Sequence, residues 1–177
     1  MSEDINKRVL IFTGEGKGKT TAALGMSLRA SGHGQKVCII HFVKSRKDTG
    51  EVKALAGISG IDQHITGLGF LPDPDSDAFQ RHLHAAGEGL RLAREILNSC
   101  RYDLVVLDEI CWAVHKSLIQ ETEVIDLLNC MKDHSSIVFT GRFAPQSLID
   151  AADTVTEMTK VKHAYDEGIP AQPGIEK

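Results

Sequence analysis

The stretch Arg8 to Thr21, RVLIFTGEGKGKTT, constrains this chain more than any other. Val9 to Phe12 reads as a short apolar strand running into a glycine-rich turn. Gly18-Lys19-Thr20-Thr21 closes the turn, and Ala22 to Ala30 is compatible with a helix. Strand, glycine turn, lysine, hydroxyl and helix in that order make a phosphate-binding P-loop. A polyphosphate needs several backbone N–H donors pointing inward, and only residues with little side chain let the backbone wrap so closely. The helix N-terminus adds partial positive charge. Lys19 supplies a point charge to the outer phosphates, and the Thr20 hydroxyl is placed to bind Mg2+ (or Mn2+). The loop departs from the usual G-x-x-x-x-G-K-[ST]. Counting back from Gly18 puts Thr13 in the first place, and counting from Gly14 leaves the loop one residue short. A dinucleotide fingerprint is excluded, because it needs glycine where Lys19 stands.

Further along, Lys36 to Val43 (KVCIIHFV), Gln63 to Thr66, Leu104 to Leu107, Ser136 to Thr140 and Thr154 to Met158 read as strands. The near-continuous apolar runs among them suit strands covered on both faces. Glu51 to Ala56, Asp77 to Cys100, Glu123 to Lys132 and Pro145 to Ala152 read as helices. In the longest, Phe79, Leu83, Ala86, Leu90, Ala93 and Leu97 form one apolar stripe. Asp77 with Gln80 resembles a capping box, while His82 and His84 point in different directions and read as surface histidines. The alternation predicts an α/β fold: one P-loop NTPase-like (RecA-like) domain over residues 1–177, its mostly parallel sheet flanked by helices.

The formal charge of -4 argues against a nucleic-acid partner. No apolar run approaches the ~20 residues of a membrane span, and MSEDINKR lacks the apolar core of a signal peptide. Cys38, Cys100, Cys111 and Cys130 form no C-x-x-C pair, which argues against structural zinc. Most of them are expected to be buried, reduced thiols of a cytoplasmic protein.

Several segments extend the phosphate site. Asp108-Glu109 follows the apolar LVVL, and a carboxylate at such a strand end sits opposite a P-loop and holds Mg2+ directly or through water. Gly141-Arg142 ends the SIVFT strand, where glycine permits a sharp turn and Arg142 reaches a phosphate. Lys44 to Gly50 (KSRKDTG) is basic and follows a strand end, so it reads as a solvated loop or an anion-binding one. Gly67 to Ser76, with two glycines and two prolines, forbids regular structure. Its Leu68, Phe70 and Leu71 either fold back onto the core or contact a ligand. Cys111 and Trp112 read as core or pocket wall.

Two P-loop classes are set aside by absence: no N-K-x-D for guanine and no zinc-binding cysteine pairs of type II thymidine kinases. TGEGKGKTTAALG, DLVVLDEI, FTGR, AADTVTE and the tail KHAYDEGIPAQPGIE together resemble the P-loop corrinoid adenosyltransferases, over nearly the whole chain. That family shares the shortened loop. The resemblance implies attack of cob(I)alamin, or a related Co(I) corrinoid, on C5′ of ATP, with triphosphate leaving and no protein nucleophile. It implies ATP contacts from Gly14, Glu15, Gly16, Lys17, Gly18, Lys19, Thr20, Thr21 and Arg142, with Lys19 and Glu109 catalytic and Thr20, Asp108 and Glu109 at the metal. Relatives carry T-G-x-x-[FW] under the corrin ring, commonly with Phe and Trp. Here it reads Thr66-Gly67-Leu68-Gly69-Phe70, so Leu68 and Phe70 are the expected corrinoid contacts. A homodimer and a flavoprotein reductant are also implied. Two other readings stay open: a small-molecule kinase, and an ATP-binding corrinoid carrier or regulator without turnover.

Overall fold

Strands whose residues are apolar on both sides need cover on both faces, and the chain supplies it. The computed structural model describes residues 7–45 and 49–176. Its elements run β1 (Arg8–Thr13), α1 (Lys19–Gly32), β2 (Val37–His41), α2 (Gly50–Ala56), β3 (Ile61–Ile65) and α3 (Asp77–Asn98), then β4 (Leu104–Asp108), α4 (Ile110–His115), α5 (Glu121–Leu127), β5 (Ser136–Thr140), α6 (Gln146–Ala151) and β6 (Thr154–Glu157). The six strands form one sheet in the order β3-β2-β4-β5-β1-β6, with every pairing parallel. The mostly parallel sheet of the expectation is therefore wholly parallel among the described residues.

Side chains alternate between the two faces. Cys38, Ile40, Val105, Leu107, Ile137 and Phe139 join α3, α4, α5 and α6 in the larger core. Val37, Ile39, Leu104, Val106 and Val138 pack against Ala23 and Ala30 of α1 and Leu55 of α2. The α3 stripe falls as expected: Ala86, Leu90, Ala93 and Leu97 are buried, with Phe79 and Leu83 packed against them. Truncating such a buried leucine to alanine costs about 2–5 kcal/mol.

Some boundaries differ from those expected. The N-cap of α3 is Ser76, whose Oγ accepts from Phe79 N at 3.2 Å; Asp77 is the first helical residue. Gln120 caps α5 in a capping box with Glu123, so that helix starts earlier than Glu123 and gives way to a 3-10 turn at Leu128–Cys130. The helix α4 was not expected. It forms because Glu109 adopts φ 64°, which turns the chain sharply out of β4. Of the four thiols, Cys38 and Cys111 are buried, and burial pushes both up to about 12. Cys100 is exposed and Cys130 half-buried, so burial holds for two of the four.

The carboxyl edge of the sheet organises the rest. After the opening Arg8 of β1 and Ser136 of β5, the strands β1, β2, β4 and β5 are apolar until their last residues, which are Thr13, His41, Asp108 and Thr140. From β1 the chain crosses past β5 and β4 to reach β2, so the order reverses beside the P-loop. Open parallel sheets bind ligands at such a point.

Candidate active site

The P-loop is pinned from the sheet as well as from its own helix. Gly16 N donates to Met158 O at 2.6 Å, and Met158 N donates to Thr13 O at 2.8 Å. A Cβ on Gly14 or on Gly16 would lie 2.6 Å from Met158 O. These glycines are thus required by the chain beyond β6, independently of any phosphate. Gly14 and Gly18 also hold φ 94° and 116°, conformations that strain an L side chain.

Lys19 curls back into the loop, with Nζ donating to Gly14 O and Gly16 O, each at 2.7 Å. It is only 7% exposed. Burial lowers its pKa; Arg142 lowers it too, against the raising charges of Glu109 and Glu15. The next residue faces the acid pair. Thr20 Oγ1 donates to Asp108 Oδ1 at 2.8 Å, and Thr140 Oγ1 donates to the same oxygen at 2.8 Å. His41 Nδ1 stands 2.8 Å from Asp108 Oδ2, with Lys44 Nζ 3.7 Å from that oxygen. Burial works to raise the Asp108 pKa. The hydrogen bond from His41 and the charge of Lys44 outweigh it and hold the carboxyl below its ordinary range.

Glu109 behaves in the opposite way. Half-buried beside an ionised neighbour, its carboxyl is raised, first by burial and then by the Asp108 charge, against the lowering effect of Lys19 and Arg142. Its backbone N donates to Thr140 Oγ1 at 2.8 Å. A left-handed non-glycine residue at this turn stores on the order of 1–3 kcal/mol. The two acids are therefore separated in role: Asp108 is the partner of Thr20, and Glu109 lines the open cleft.

That cleft is about 710 Å³, walled by Glu15 to Thr21, Lys44, Glu109, Arg142 and the tail residues Gly174 to Glu176. Lys17 is exposed and donates to Ile175 O and Glu176 Oε1, both at 2.6 Å. Arg142 pairs with Glu15 at 3.2 Å, after a Gly141 whose Cβ would meet Trp112 N at 2.7 Å. Lys44, from the loop expected to be anionic-ligand or solvated, reaches the cleft and pairs with Glu51 at 2.6 Å. Arg46 and Lys47 of that loop lie outside the described residues.

The expected corrinoid contacts lie elsewhere on the same edge. Gly67 N donates to His41 O at 3.1 Å and Gly69 N to Val43 O at 2.8 Å, which fastens the loop to the end of β2. Leu71 folds back onto the core. Leu68 is half-exposed and Phe70 wholly so, and neither lines the cleft. The structure thus gathers Gly14 to Thr21, Asp108, Glu109 and Arg142 and leaves Leu68 and Phe70 beside them. Sequence reasoning missed His41 and Thr140. The available signal was positional: each is the polar residue that closes an apolar strand, as Asp108 is. Among the described residues, no three His, Cys, Asp or Glu side chains cluster as a metal site, and no helix is long and apolar enough to cross a membrane.

A parallel sheet with a P-loop at its order reversal and a hydroxyl–carboxylate pair opposite defines a P-loop nucleotide-binding protein. The model of the family described as ATP:corrinoid adenosyltransferase BtuR/CobO/CobP matches residues 6–176, and the chain belongs to that family. It is 35% identical over 175 residues to a corrinoid adenosyltransferase of Escherichia coli (strain K12), covering 99% of this chain and 88% of that one. It is 36% identical over 168 residues to the corrinoid adenosyltransferase CobA of Salmonella typhimurium (strain LT2), covering 95% and 84%. A corrinoid adenosyltransferase of Pseudomonas aeruginosa is 37% identical over 169 residues, covering 95% and 82%.

Proposed function

We propose that this chain transfers the 5′-deoxyadenosyl group of ATP to the Co(I) centre of a corrinoid such as cob(I)alamin, in adenosylcobalamin formation. The cobalt electron pair forms the Co–C bond, the C5′–O bond breaks, and its electron pair leaves on triphosphate. The single observation that carries this is the cleft, in a chain whose family match spans residues 6–176. It offers cations and backbone donors for a polyphosphate and needs no protein nucleophile, because the substrate brings one.

The protein's work is to fix C5′ and to stabilise charge gathering on the departing triphosphate. Lys19, buried and already aimed into the loop, meets that charge, with Lys17 and Arg142 at the rim once the triphosphate replaces Glu176 and Glu15 as their partner. The Thr20 hydroxyl and Asp108 carboxylate, oxygen donors 2.8 Å apart, are the residues that would hold a hard divalent cation such as Mg2+ or Mn2+. When bound it would neutralise charge on the triphosphate. Glu109 is the second carboxylate facing that space. Leu68 and Phe70 supply apolar surface for the corrin ring. The reading also takes in one domain over residues 1–177, supported by the alternation of strands and helices, and a cytoplasmic setting, supported by the cysteine usage, with a homodimer and a flavoprotein electron donor supported by the family resemblance alone.

The test is anaerobic incubation with chemically reduced cob(I)alamin, ATP and Mg2+, following the corrin spectrum and the phosphate product. A light-sensitive adenosylcobalamin spectrum with triphosphate release is expected. Orthophosphate with a phosphorylated product would replace this reading with a kinase, and ATP binding without turnover on any corrinoid would replace it with a carrier.

A further inference from the structure

His41 belongs to no motif, yet it touches both halves of the site. It is fully buried at the end of β2, and Asp108 at the end of β4 is its register partner. Its carbonyl accepts from Thr66 N and Gly67 N, both at 3.1 Å, and from Thr66 Oγ1 at 3.2 Å, so it roots the loop that carries Leu68 and Phe70. Its side chain does something separate. Nδ1 lies 2.8 Å from Asp108 Oδ2, while Oδ1 takes the hydroxyls of Thr20 and Thr140. A carboxylate only accepts, so Nδ1 is the ring nitrogen that carries the hydrogen.

The fold itself gives no reason for a histidine here. The other residues of β2 are Val37, Cys38, Ile39 and Ile40, all buried, and His41 Nε2 is buried with no partner. A polar ring at such a position is costly unless its bonded nitrogen has a task. The task is visible at the carboxylate. With both oxygens bonded, Asp108 is held in one rotation about its Cβ–Cγ bond, with Oδ1 toward Thr20. Without the Nδ1–H, Oδ2 keeps only Lys44 at 3.7 Å, and that ammonium is free to leave Glu51 and draw the carboxylate toward itself.

We propose that His41 is a positioning residue: its Nδ1–H holds Asp108 so that Oδ1 stays turned to Thr20, and this sets how strongly the cleft binds ATP together with its divalent cation. The proposal rests on Thr20 and Asp108 being the ion site. Groups that orient metal-ligating side chains change metal affinity by about 10–100-fold when removed.

The experiment is calorimetric titration of ATP into the parent and His41→Leu, once with Mg2+ and once with EDTA, alongside far-UV circular dichroism. The gain in ATP affinity given by Mg2+ should shrink about 10–100-fold in His41→Leu, while the affinity in EDTA stays as in the parent. His41→Asn, which puts an amide N–H where Nδ1–H stands, should restore most of the gain. If His41→Leu keeps the full Mg2+ gain, or loses affinity equally with and without the ion, the positioning role is overturned while the ion site stands. A parent with no Mg2+ gain overturns the ion site and the proposal with it. Should His41→Leu not fold, His41→Asn and His41→Thr decide. Asn must keep the gain, and Thr, whose hydroxyl is too short to reach Oδ2, must lose it; equal gains in the two overturn the proposal.

Discussion

The two ends of the site are built on opposite principles. At the nucleotide end most charged groups are already partnered: Lys19 on two carbonyls, Asp108 on two hydroxyls and an imidazole, Arg142 on Glu15 and Lys17 on the tail, with the Glu109 carboxylate the exception. At the proposed corrinoid end the backbone is fastened to β2, but Phe70 stands wholly in solvent and Leu68 nearly half so. Charge and apolar surface make different demands. A cation or carboxylate that must act in a partly desolvated cleft has to be oriented in advance, since reorganising it during the reaction raises the barrier. A lone exposed aromatic costs the free protein little, and it contributes only when a ring system covers it.

The largest effect that this contrast predicts is at Lys19. Lys19→Ala removes the buried cation and leaves Gly14 O and Gly16 O without their donor. Turnover should fall about 10²–10³-fold, the range for losing one preorganised group at developing charge. Single-turnover rates with saturating ATP measure this; a loss of under tenfold would place the stabilising charge elsewhere in the cleft. Phe70→Ala comes next and should show the reverse profile. ATP affinity and Tm should match the parent, because the free side chain touches almost nothing. Turnover on cob(II)alamin plus reductant should drop by about tenfold, the ~1.4 kcal/mol of one well-covered contact. Undiminished turnover would remove Phe70 from the corrinoid surface, and a matching fall in ATP affinity would erase the division between the two ends.

The nucleotide end was legible because its chemistry is local in sequence. A strand, a glycine turn and Gly18-Lys19-Thr20 specify a phosphate cradle by backbone rules alone, and LVVL before Asp108-Glu109 places an acid at a strand end. Which acid meets Thr20 was not legible, because it depends on the φ of 64° at Glu109, the left-handed turn that leads into the unexpected α4. His41 and Thr140 were hidden for another reason. They become neighbours of Asp108 only through the strand order, which brings β2 and β5 to either side of β4. The extra constraint on Gly14 and Gly16 was hidden likewise, since Met158 is far along the chain and close only through the β1–β6 pairing. For the loop of residues 67–76 the apolar residues were evident, and the structure divided them: Leu71 inward, Leu68 and Phe70 outward.

Glu109 tests how far preorganisation is carried, with the smallest effect. Its carboxyl is raised above the ordinary 4.5, first by burial and then by the charge of Asp108. The native state therefore binds this proton more tightly than the unfolded chain does. Ionisation removes stability as pH rises from 4.5 through the raised native value, and the loss persists above it. Glu109→Gln abolishes that penalty, so the ligand-free variant should melt higher than the parent at pH 8. The difference should close as pH falls, and vanish once both carboxyls are protonated. For a chain of this size each kcal/mol relieved appears as about 2–4 °C in Tm, readable by scanning calorimetry across pH. The same variant should turn over more slowly, because the second carboxylate facing the ion space is gone. A Tm gain without a loss of turnover would mean that the Glu109 carboxylate is not needed at the ion space. A Tm loss at pH 8 would show that Lys19 and Arg142 already compensate the charge, making Glu109 as fully partnered as Asp108.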